Sequence, residues 1–329
     1  MASADEELSS TEDEFEYTRP IIKWVGGKSQ ILDDVLNKFP TDINNYFELF
    51  IGGGSVLLGL LSRIQDGNIA VRGRIFAFDA NEALIGMYNN IKRNSDTLYK
   101  ELKKIIDIFI SCPNLEKSSG RSKLVIASNE QEAKVSRETY YYWIRAQYNA
   151  TSDKNAVATS AMFIFLNKTC FRGVYRVGPN GFNVPYGFYA NPEIINKEHL
   201  DEVSALIKNV KFQVADFRDS IGLLIGNRAD GDFVYMDPPY YPEDAKSFVG
   251  YTKDGFDEAS HTKFFELCHT MTDKRIRWLM SNSDVSALNS QFGNEVRGGV
   301  YKTEKIKCKR SINSKKPGST TMEVLITNF

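Results

Sequence analysis

Residues that bind metals or form disulfide bonds are scarce in this sequence. Among 329 residues there are three histidines and four cysteines, and the cysteines show no paired spacing of the kind that zinc sites use. They are also widely scattered, unlike the cysteines of small secreted domains that disulfide bonds hold together. We therefore expect no metal site and no disulfide framework. The four cysteines are Cys112, Cys170, Cys268 and Cys308.

Long apolar stretches are absent as well. No run in the sequence approaches the roughly 20 apolar residues that a membrane-spanning helix needs, and the first residues are acidic where a signal peptide would be basic and then apolar. We expect an intracellular protein that makes no use of a membrane. Hydrophobic residues make up 42% of the chain, which is enough for a core of ordinary size.

No strong charge of either sign marks the chain as a whole, since its formal net charge is −1. The balance is uneven, because residues 1–19 contain seven acidic residues against Arg19, so that the remainder is positive by five charges. Residues 1–19 are polar and poor in apolar side chains, and we expect a disordered tail there. The positive remainder permits a nucleic-acid partner but is too modest to indicate one by itself.

A run of four apolar residues, 233–236, leads directly into Asp237, Pro238, Pro239 and Tyr240. The run predicts a buried strand, and the two prolines predict a stiff bend after it, because each lacks a backbone N–H and has a fixed φ. Asp237 and the Pro238 carbonyl are then acceptors for the hydrogens of one amino group, while the Tyr240 ring offers a stacking face. This arrangement suits chemistry on the exocyclic amine of a flat base. The alternative is an ordinary strand followed by a proline turn.

A second candidate site begins with the strand predicted for residues 46–51, which runs into a turn of three glycines, 52–54. The next residues predict a helix that Ser55 caps. Glycines let a ligand approach the backbone closely, and a helix N-terminus favours anionic groups. A further apolar strand, 75–78, ends in Asp79, and an acid there is placed to accept hydrogen bonds from ribose hydroxyls.

Two other nucleotide-binding folds use similar pieces. A dinucleotide-binding turn needs a third glycine where this sequence has Leu57, which weakens that interpretation. A phosphate-binding P-loop resembles residues 23–29, which end in Gly-Lys-Ser. The first glycine of a P-loop would fall at Ile22, and no strand of normal length precedes it. A P-loop nucleotide hydrolase therefore remains an alternative from another class.

Together, these segments resemble the Dam-type, or D12 class, adenine-N6 DNA methyltransferases. That family has a WxGGK-like segment, an FxGxG-like turn, an acid after the second strand and a DPPY motif in this order. The corresponding residues are 24–28, 50–54, Asp79 and 237–240. Residues 182–187 also look like the family's FNVPFG segment, so the resemblance covers most of the chain.

The resemblance implies S-adenosylmethionine as methyl donor, S-adenosylhomocysteine as product, double-stranded DNA as partner and a flipped-out adenine as target. It implies catalytic roles for Asp237, Pro238, Pro239 and Tyr240. The residues implied to surround the donor are Trp24, Lys28, Phe50, Gly52, Asp79, Asp216, Phe217 and Asp237. For Asp216 the alternative is a helix cap.

The acid at position 237 bears on the substrate. Related enzymes that modify glutamine in proteins typically carry Asn there, and many cytosine-N4 enzymes carry Ser, so Asp237 points to adenine. An RNA or protein methylase, or a nonenzymatic DNA-binding relative, remains the alternative within this fold.

The expected fold is α/β, a doubly wound, Rossmann-like methyltransferase sheet with a mainly helical insertion. Residues 20–94 and 196–329 make up the expected catalytic domain. Residues 95–195 are the expected target-recognition subdomain, which contacts DNA in the resembling family. Its predicted hairpin has strands near residues 171–176 and 182–184. The candidate DNA contacts are Lys23, Phe171, Arg172, Tyr175 and Arg176. The alternative is that the aromatic rings pack on the helices of the insertion and the arginines are solvated.

Periodicity predicts the remaining elements. Helices are expected at residues 28–38, 55–64, 81–92, 137–149, 155–168 and 192–208. Strands are expected at residues 211–214, 276–281, 296–301 and 322–327. The basic stretch from Lys302 to Lys316 is either a further DNA surface or a solvated strand and loop.

Overall fold

A computed structural model describes residues 16–115, 127–241, 256–309 and 320–329 of the chain. The helices of this part are α1 (Leu32–Leu36), α2 (Ser55–Gln65), α3 (Glu82–Ser111), α4 (Glu130–Ala133), α5 (Arg137–Ala150), α6 (Val157–Thr169), α7 (Lys197–Leu206), α8 (Phe217–Gly226), α9 (Glu258–Asp273) and α10 (Ser286–Phe292). The strands are β1 (Asp42–Ile43), β2 (Tyr46–Glu48), β3 (Ala70–Val71), β4 (Ile75–Asp79), β5 (Val177–Gly178), β6 (Gly181–Phe182), β7 (Val210–Val214), β8 (Phe233–Met236), β9 (Arg277–Ser283), β10 (Lys302–Lys309) and β11 (Thr320–Thr327). Within these described ranges, no helix combines the length and the apolar character needed to cross a membrane.

The central sheet has seven strands in the order β10-β11-β9-β8-β2-β4-β7. Strands β9, β8, β2, β4 and β7 run parallel, whereas β11 pairs antiparallel with β9 and β10. Along the chain, strands are added outward from β2 to β7, and the chain then returns to place β8 on the other side of β2. The switch point therefore lies between β2 and β8, where doubly wound sheets bind ligands. The predicted α/β, Rossmann-like fold is confirmed.

The strands at the switch point are buried on both faces, which is why β8 is a continuous apolar run and β2 is apolar except for Glu48. Phe233 and Tyr235 of β8 belong to the core that includes α2, α3 and α6. Val234 and Met236 belong to the core on the other face, with α8, α9 and α10. Because helices cover both faces, the carboxyl ends of the strands remain as the edge at which a ligand can reach the sheet.

The helical insertion continues directly from the sheet domain through α3. This helix has helical backbone angles except at Asn94, where φ is −134° and ψ is 28°. That break adjoins the predicted boundary between residues 94 and 95. Beyond it, α3 packs on α6, for example through the rings of Phe109 and Phe165, whose centroids are 5.2 Å apart. The exact limits of a recognition subdomain stay a prediction.

The hairpin of the insertion is shorter than expected. Its strands are β5 and β6, with Val177 opposite Phe182. A 3-10 turn occupies residues 171–173, where the prediction placed the start of a strand. The reason is local, because Arg172 and Gly173 both have positive φ, 58° and 64°, which extended strands do not adopt.

Ser55 does not cap α2, contrary to the prediction. The residue before the helix is Gly54, with φ of 77°, and its N-cap position has no side-chain hydrogen bond. The Ser55 hydroxyl instead accepts a hydrogen bond from the backbone N–H of Lys28 at 3.1 Å. The helix predicted at residues 28–38 is reduced to α1, because residues 23–31 form turns that lead to the sheet edge.

Two further boundaries were predicted incorrectly. The helix expected at residues 192–208 is α7, which begins only at Lys197. The Asn196 side chain caps it there by accepting a hydrogen bond from the N–H of His199. The strand expected at residues 296–301 is largely a 3-10 turn, and the glycines at positions 298 and 299 have φ of 74° and 82°. Strand β10 can therefore begin only after them.

Part of the predicted tail, residues 1–19, belongs to the folded molecule. Arg63 Nε donates a hydrogen bond to the Tyr17 hydroxyl at 2.9 Å, which ties residues 16–19 to α2. Residues 1–15 lie outside the described residues, so their predicted disorder stays a prediction.

Candidate active site

A cavity of about 890 Å³ opens at the carboxyl ends of the strands around the switch point. Five stretches of chain form most of its wall: residues 24–28, 48–53, 79–81, 214–218 and 237–240. The predicted donor-binding and catalytic residues all line it, namely Trp24, Lys28, Phe50, Gly52, Asp79, Asp216, Phe217, Asp237, Pro238, Pro239 and Tyr240. The fold therefore brings together motifs that are far apart in the sequence.

Asp237 directly follows β8, so the end of a buried strand determines its position. Its Oδ2 lies 2.6 Å from Lys28 Nζ, and its Oδ1 accepts a hydrogen bond from Ser281 Oγ at 3.3 Å. Burial raises the pKa of Asp237, and the Lys28 ammonium group opposes that rise. The carboxylate thus lies in the cavity wall with hydrogen-bond donors on both oxygens.

Lys28 is almost completely buried, with 3% of its surface exposed. Its Nζ donates hydrogen bonds to Asp237 Oδ2 and to the Gly26 carbonyl, each at 2.6 Å, and lies 5.0 Å from the centroid of the Tyr240 ring. One cationic nitrogen therefore lies between a carboxylate and an aromatic face, the two groups that the DPPY motif offers to an amine. A substrate amine that binds Asp237 would share the carboxylate with Lys28 or displace Lys28 from it.

The segment after Asp237 is tied to the neighbouring strands β9 and β11. The Tyr240 hydroxyl donates a hydrogen bond to Glu323 Oε2 at 2.7 Å. The backbone N–H of Tyr241 donates to Asn282 Oδ1 at 3.1 Å, and its carbonyl accepts from Ser283 Oγ at 2.8 Å. These partners lie 40 or more positions away in the chain, so the motif alone did not reveal them.

Asp79 organises the glycine turn after β2. Its Oδ2 accepts a hydrogen bond from Gly52 N at 3.1 Å, and its Oδ1 accepts one from Asn81 N at 2.9 Å. Burial raises the pKa of Asp79 to about 6, against the effect of these two N–H groups. Within the turn, Gly54 has φ of 77°, and a Cβ there would lie 2.5 Å from the Tyr88 hydroxyl. The turn therefore needs glycine, and Asp79 both shapes it and presents a carboxylate to the cavity.

Trp24 covers the glycine turn. A Cβ on Gly52 would lie 2.8 Å from the Trp24 ring, so the ring and the backbone are in close contact. The same ring stacks on Tyr175 of the insertion, with centroids 5.4 Å apart and planes at 22°, and Tyr175 also packs on Phe163 at 5.5 Å. Tyr175 thus lies against the cavity wall, as in the packing alternative, and its contact with DNA stays a prediction.

Aromatic rings form another part of the wall. The centroids of Phe50 and Phe217 are 6.1 Å apart, and both rings pack on Phe256. Beside them, Asp216 caps α8 by accepting from the N–H of Arg218 at 2.9 Å, and it pairs with the Arg218 guanidinium at 3.0 Å. The helix-cap alternative for Asp216 is correct, and the same residue lines the cavity.

Motif-based reasoning missed Glu48, the last residue of β2. Its carboxyl group lines the cavity, has 2% of its surface exposed and accepts a hydrogen bond from the Tyr46 hydroxyl at 2.7 Å. Burial raises its pKa to about 8, although the Tyr46 hydroxyl and the Leu57 N–H lower it. The available signal was an acid inside the apolar run 46–51, since a buried carboxyl group needs a compensating partner.

Three candidate DNA contacts form a basic and aromatic surface where the insertion meets the chain at residue 23. They are Lys23, Phe171 and Arg172. The Asn167 side chain binds both the N–H and the carbonyl of Lys23 at 2.8 Å, and the Lys23 ammonium lies 5.0 Å from the Tyr189 ring centroid. The N–H of Arg172 donates to the Tyr189 hydroxyl at 2.8 Å. The Arg172 guanidinium lies 5.1 Å from the ring of Phe171, which is 48% exposed. The sequence offered no motif for Asn167 and Tyr189, which hold this surface in place.

The remaining candidates for DNA binding lie elsewhere. Arg176 is exposed, and its Nε donates a hydrogen bond to Asn183 Oδ1 at 2.7 Å. The basic stretch from Lys302 to Lys316 is described only as far as residue 309, where it forms the edge strand β10. Lys305 there pairs with Asp284 at 2.7 Å. Lysines on an edge strand prevent pairing with other chains, so this stretch has a sufficient explanation without DNA.

Residues 23–29 do not have the architecture of a P-loop. No strand occurs in described residues 16–22, and α1 begins three residues after the Gly-Lys-Ser sequence. The Lys28 ammonium binds a carboxylate and a carbonyl, both of them unsuited to a phosphate site. The P-loop nucleotide hydrolase alternative is therefore not supported.

Known proteins resemble this chain over nearly its full length. The family model for D12 class N6 adenine-specific DNA methyltransferase matches residues 24–312. The chain is 34% identical to the type II methyltransferase M.MjaIII of Methanocaldococcus jannaschii, over 94% of this chain and 99% of that protein. It is 28% identical to the type II methyltransferase M1.LlaDCHI of Lactococcus lactis subsp. cremoris, over 94% of this chain and 95% of that protein. It is also 28% identical to a DNA adenine methylase of Haemophilus influenzae, over 94% of this chain and 93% of that protein.

These similarities agree with the site. The family model spans the glycine turn, Asp79 and the DPPY motif, and the relatives are methyltransferases or DNA adenine methylases. Membership implies a methyl donor of the S-adenosylmethionine type and DNA as the substrate. The chain belongs to the D12 class of N6 adenine-specific DNA methyltransferases, and the protein is an enzyme of that type.

Proposed function

We propose that the cavity holds S-adenosylmethionine and one flipped-out adenine of double-stranded DNA side by side, so that the methyl group passes to N6. One observation carries the proposal: the glycine turn with Asp79 and the segment from Asp237 to Tyr240 line the same cavity. Inside the duplex, the amine cannot meet the methyl group in line with the sulfonium, so the adenine has to leave the base stack. The volume of about 890 Å³ lies within the range of sites for cofactors and drug-sized ligands.

In this proposal, Asp237 and the Pro238 carbonyl hold the amino group of the target adenine. That amine is a weak nucleophile because its lone pair is delocalised into the ring. Two acceptors on its hydrogens favour a more tetrahedral nitrogen, whose lone pair can then point toward the methyl carbon. The nitrogen becomes positive as the new C–N bond forms, and the adjacent carboxylate stabilises that charge. Asp237 would also accept the proton that N6 then loses, because it binds that amine in this proposal and burial raises its pKa.

Lys28 and Tyr240 have complementary roles at the same place. The Tyr240 ring stacks on the adenine, while Lys28 leaves Asp237 as the amine arrives. The present contact of Lys28 with Asp237, at 2.6 Å, supports this role because it occupies an acceptor that the amine needs. Catalysis is then mainly orientation together with electrostatic stabilisation.

The donor would occupy the part of the cavity formed by the glycine turn and the aromatic wall. Its sulfonium supplies the electrophilic methyl group and leaves as a neutral thioether. Asp79 is placed to accept hydrogen bonds from ribose hydroxyls, while Phe50 and Phe217 offer apolar surface to the donor's adenine. The buried Glu48 carboxyl is a natural partner for the positive α-ammonium group of the donor, because that charge compensates the cost of ionising a buried acid.

The DNA would contact the surface formed by Lys23, Phe171 and Arg172, and also the exposed Arg176. An arginine can read a guanine edge or bind phosphate, and an exposed aromatic ring can fill the space left by an extruded base. Phe171 is the exposed ring of this surface. A DNA substrate also implies an intracellular location.

Base flipping provides the direct test of this proposal. Sequencing DNA from cells that express the protein, with direct detection of modified bases, would first map the recognised site. A duplex that lacks the base opposite the target adenine should then bind more tightly than the matched duplex, because flipping costs less when the target is unpaired. Equal affinities for the two duplexes, in an enzyme that methylates the mapped site, would contradict the flipped-out geometry.

A further inference from the structure

We propose that Glu323 is a positioning residue for methyl transfer, which acts by holding the ring of Tyr240 in the orientation that the target base needs. The inference rests on the proposed role of Tyr240 as the stacking partner of the adenine. Its basis is the hydrogen bond of 2.7 Å from the Tyr240 hydroxyl to Glu323 Oε2, which joins residues 83 positions apart.

The local backbone cannot orient the Tyr240 ring by itself. Tyr240 follows two prolines that fix the direction of the chain but do not fix the side-chain torsions of the next residue. Beyond Tyr240, the backbone N–H and carbonyl of Tyr241 are bound by Asn282 and Ser283 of β9, at 3.1 Å and 2.8 Å. The main chain is therefore anchored on both sides of Tyr240, and the hydrogen bond to Glu323 anchors the far end of the ring.

Glu323 is itself held in the sheet. It lies on β11, opposite Ser283 of β9 and Ile306 of β10, so its backbone is paired on both sides. A side chain on such a strand is a firmer support than one on a loop. The orientation of the ring is thus set by the same sheet that carries Asp237 at the end of β8.

The chemistry of the pair gives the hydrogen bond one direction. Burial raises the pKa of Tyr240 well above its usual value, and the charges of Asp237 and Glu323 raise it further. The phenol consequently keeps its proton and donates a hydrogen bond to the carboxylate. Hydrogen bonds to charged acceptors are stronger than those between neutral groups. Replacing the carboxylate with a group that cannot accept would leave a partly buried hydroxyl without this partner and the ring free to turn.

The test compares Glu323→Ala with Glu323→Gln in single-turnover methylation of the mapped site. The alanine variant should react about 10- to 100-fold more slowly, since a misplacement of about 1 Å near the reacting atoms has effects of this size. Its affinities for S-adenosylmethionine and for DNA should stay within about twofold of the parent, because Glu323 contacts neither in this account. The glutamine variant keeps an acceptor and should stay within about threefold of the parent rate.

A matched control is Glu304→Ala, which removes an acid from the adjacent strand β10. Glu304 is exposed and pairs with Lys38, whereas Glu323 binds Tyr240. This variant should react at the parent rate. Should Glu323→Ala fail to fold, Glu323→Met, which keeps the length and lacks the acceptor, takes its place.

A double-mutant comparison tests whether Glu323 acts through Tyr240. Tyr240→Phe removes the hydroxyl and keeps the ring, so adding Glu323→Ala to it should slow the reaction by less than about twofold further. If the rate reductions of the two single variants multiplied in the double variant, the proposal would be overturned. The same holds if Glu323→Ala reacted at the parent rate, or if Glu323→Gln were as slow as Glu323→Ala. Failure of the proposed function is a separate result: the parent would not methylate adenine, or Asp237→Ala would remain active.

Discussion

Glu48 allows a quantitative test of the site in the protein without donor. The substitution Glu48→Gln replaces a buried acid with a neutral group of the same shape that still accepts a hydrogen bond from the Tyr46 hydroxyl. Burial raises the pKa of Glu48 to about 8 from its ordinary value of 4.5. The substitution therefore isolates the free-energy cost of keeping an ionisable carboxyl group in the cavity wall.

The sign follows from the direction of the shift. Because the pKa is raised in the folded protein, Glu48 costs no stability below pH 4.5, and the cost grows as the pH rises toward about 8. At about 1.4 kcal/mol per pH unit, the cost near pH 7 is on the order of 3 kcal/mol. The free energy of unfolding of Glu48→Gln minus that of the parent should therefore increase by about 2 to 3 kcal/mol as the pH rises from 5 to 7.

Urea unfolding of the donor-free proteins at several pH values measures this difference. Glu304→Gln, at an exposed glutamate of β10, controls for the loss of an acid in general. Its profile should follow the parent. If the profiles of Glu48→Gln and the parent also run parallel, then the pKa of Glu48 is not raised in the folded protein, and the donor's ammonium group has no cost of ionisation to compensate.

The other predictions concern the donor pocket and the DNA surface. Asp79→Ala should weaken S-adenosylmethionine binding in calorimetry by about 1.5 to 3 kcal/mol, and Asp79→Asn, which keeps one acceptor oxygen, should lose less; unchanged affinity in the alanine variant would leave Asp79 as an ordinary strand-end residue. Tyr175→Ala should weaken donor binding by about 0.5 to 1.5 kcal/mol, because the stack on Trp24 is lost, whereas Tyr175→Phe should leave donor binding unchanged. If Tyr175→Ala weakened only DNA binding, Tyr175 would be a DNA contact. Arg172→Ala and Arg176→Ala should spare donor affinity; a base contact would relax discrimination at one position by about 1 to 3 kcal/mol, and a phosphate contact would reduce the salt slope by about one unit. Parental DNA affinity, site preference and salt slope in both arginine variants would make the hairpin structural.

The parts of the site that follow strands could be predicted from the sequence. An acid directly after a buried apolar run, such as Asp79 or Asp237, lies at the carboxyl end of that strand, and parallel strands place such ends at one edge. The glycine turn was recognisable because three successive glycines follow an apolar run, and two of them, Gly52 and Gly54, have the positive φ that favours glycine. Sequence patterns thus located the cavity wall, because each part of the wall is a short segment of consecutive residues.

The contacts between those pieces could not be predicted in this way. Glu323 reaches Tyr240 only because β11 is inserted beside β9, and nothing in the pattern of either segment specifies that order. The family resemblance implied that Tyr175 contacts DNA, whereas nothing in the sequence indicated that its ring stacks on Trp24, about 150 positions earlier in the chain. The boundaries failed where positive φ or a side-chain cap decided them, as at Arg172 and Asn196.

The rate at which Asp237→Ala forms N6-methyladenine decides whether this acid has the proposed role. It is measured by mass spectrometry of nucleosides from a duplex that carries the mapped site. In that role, the Asp237 carboxylate supports an amine as it gains positive charge. We expect the parent to form N6-methyladenine, and Asp237→Ala to be at least about 100-fold slower while it stays folded and binds the donor. A variant that methylates at the parent rate, or a parent product on cytosine N4, would contradict the account.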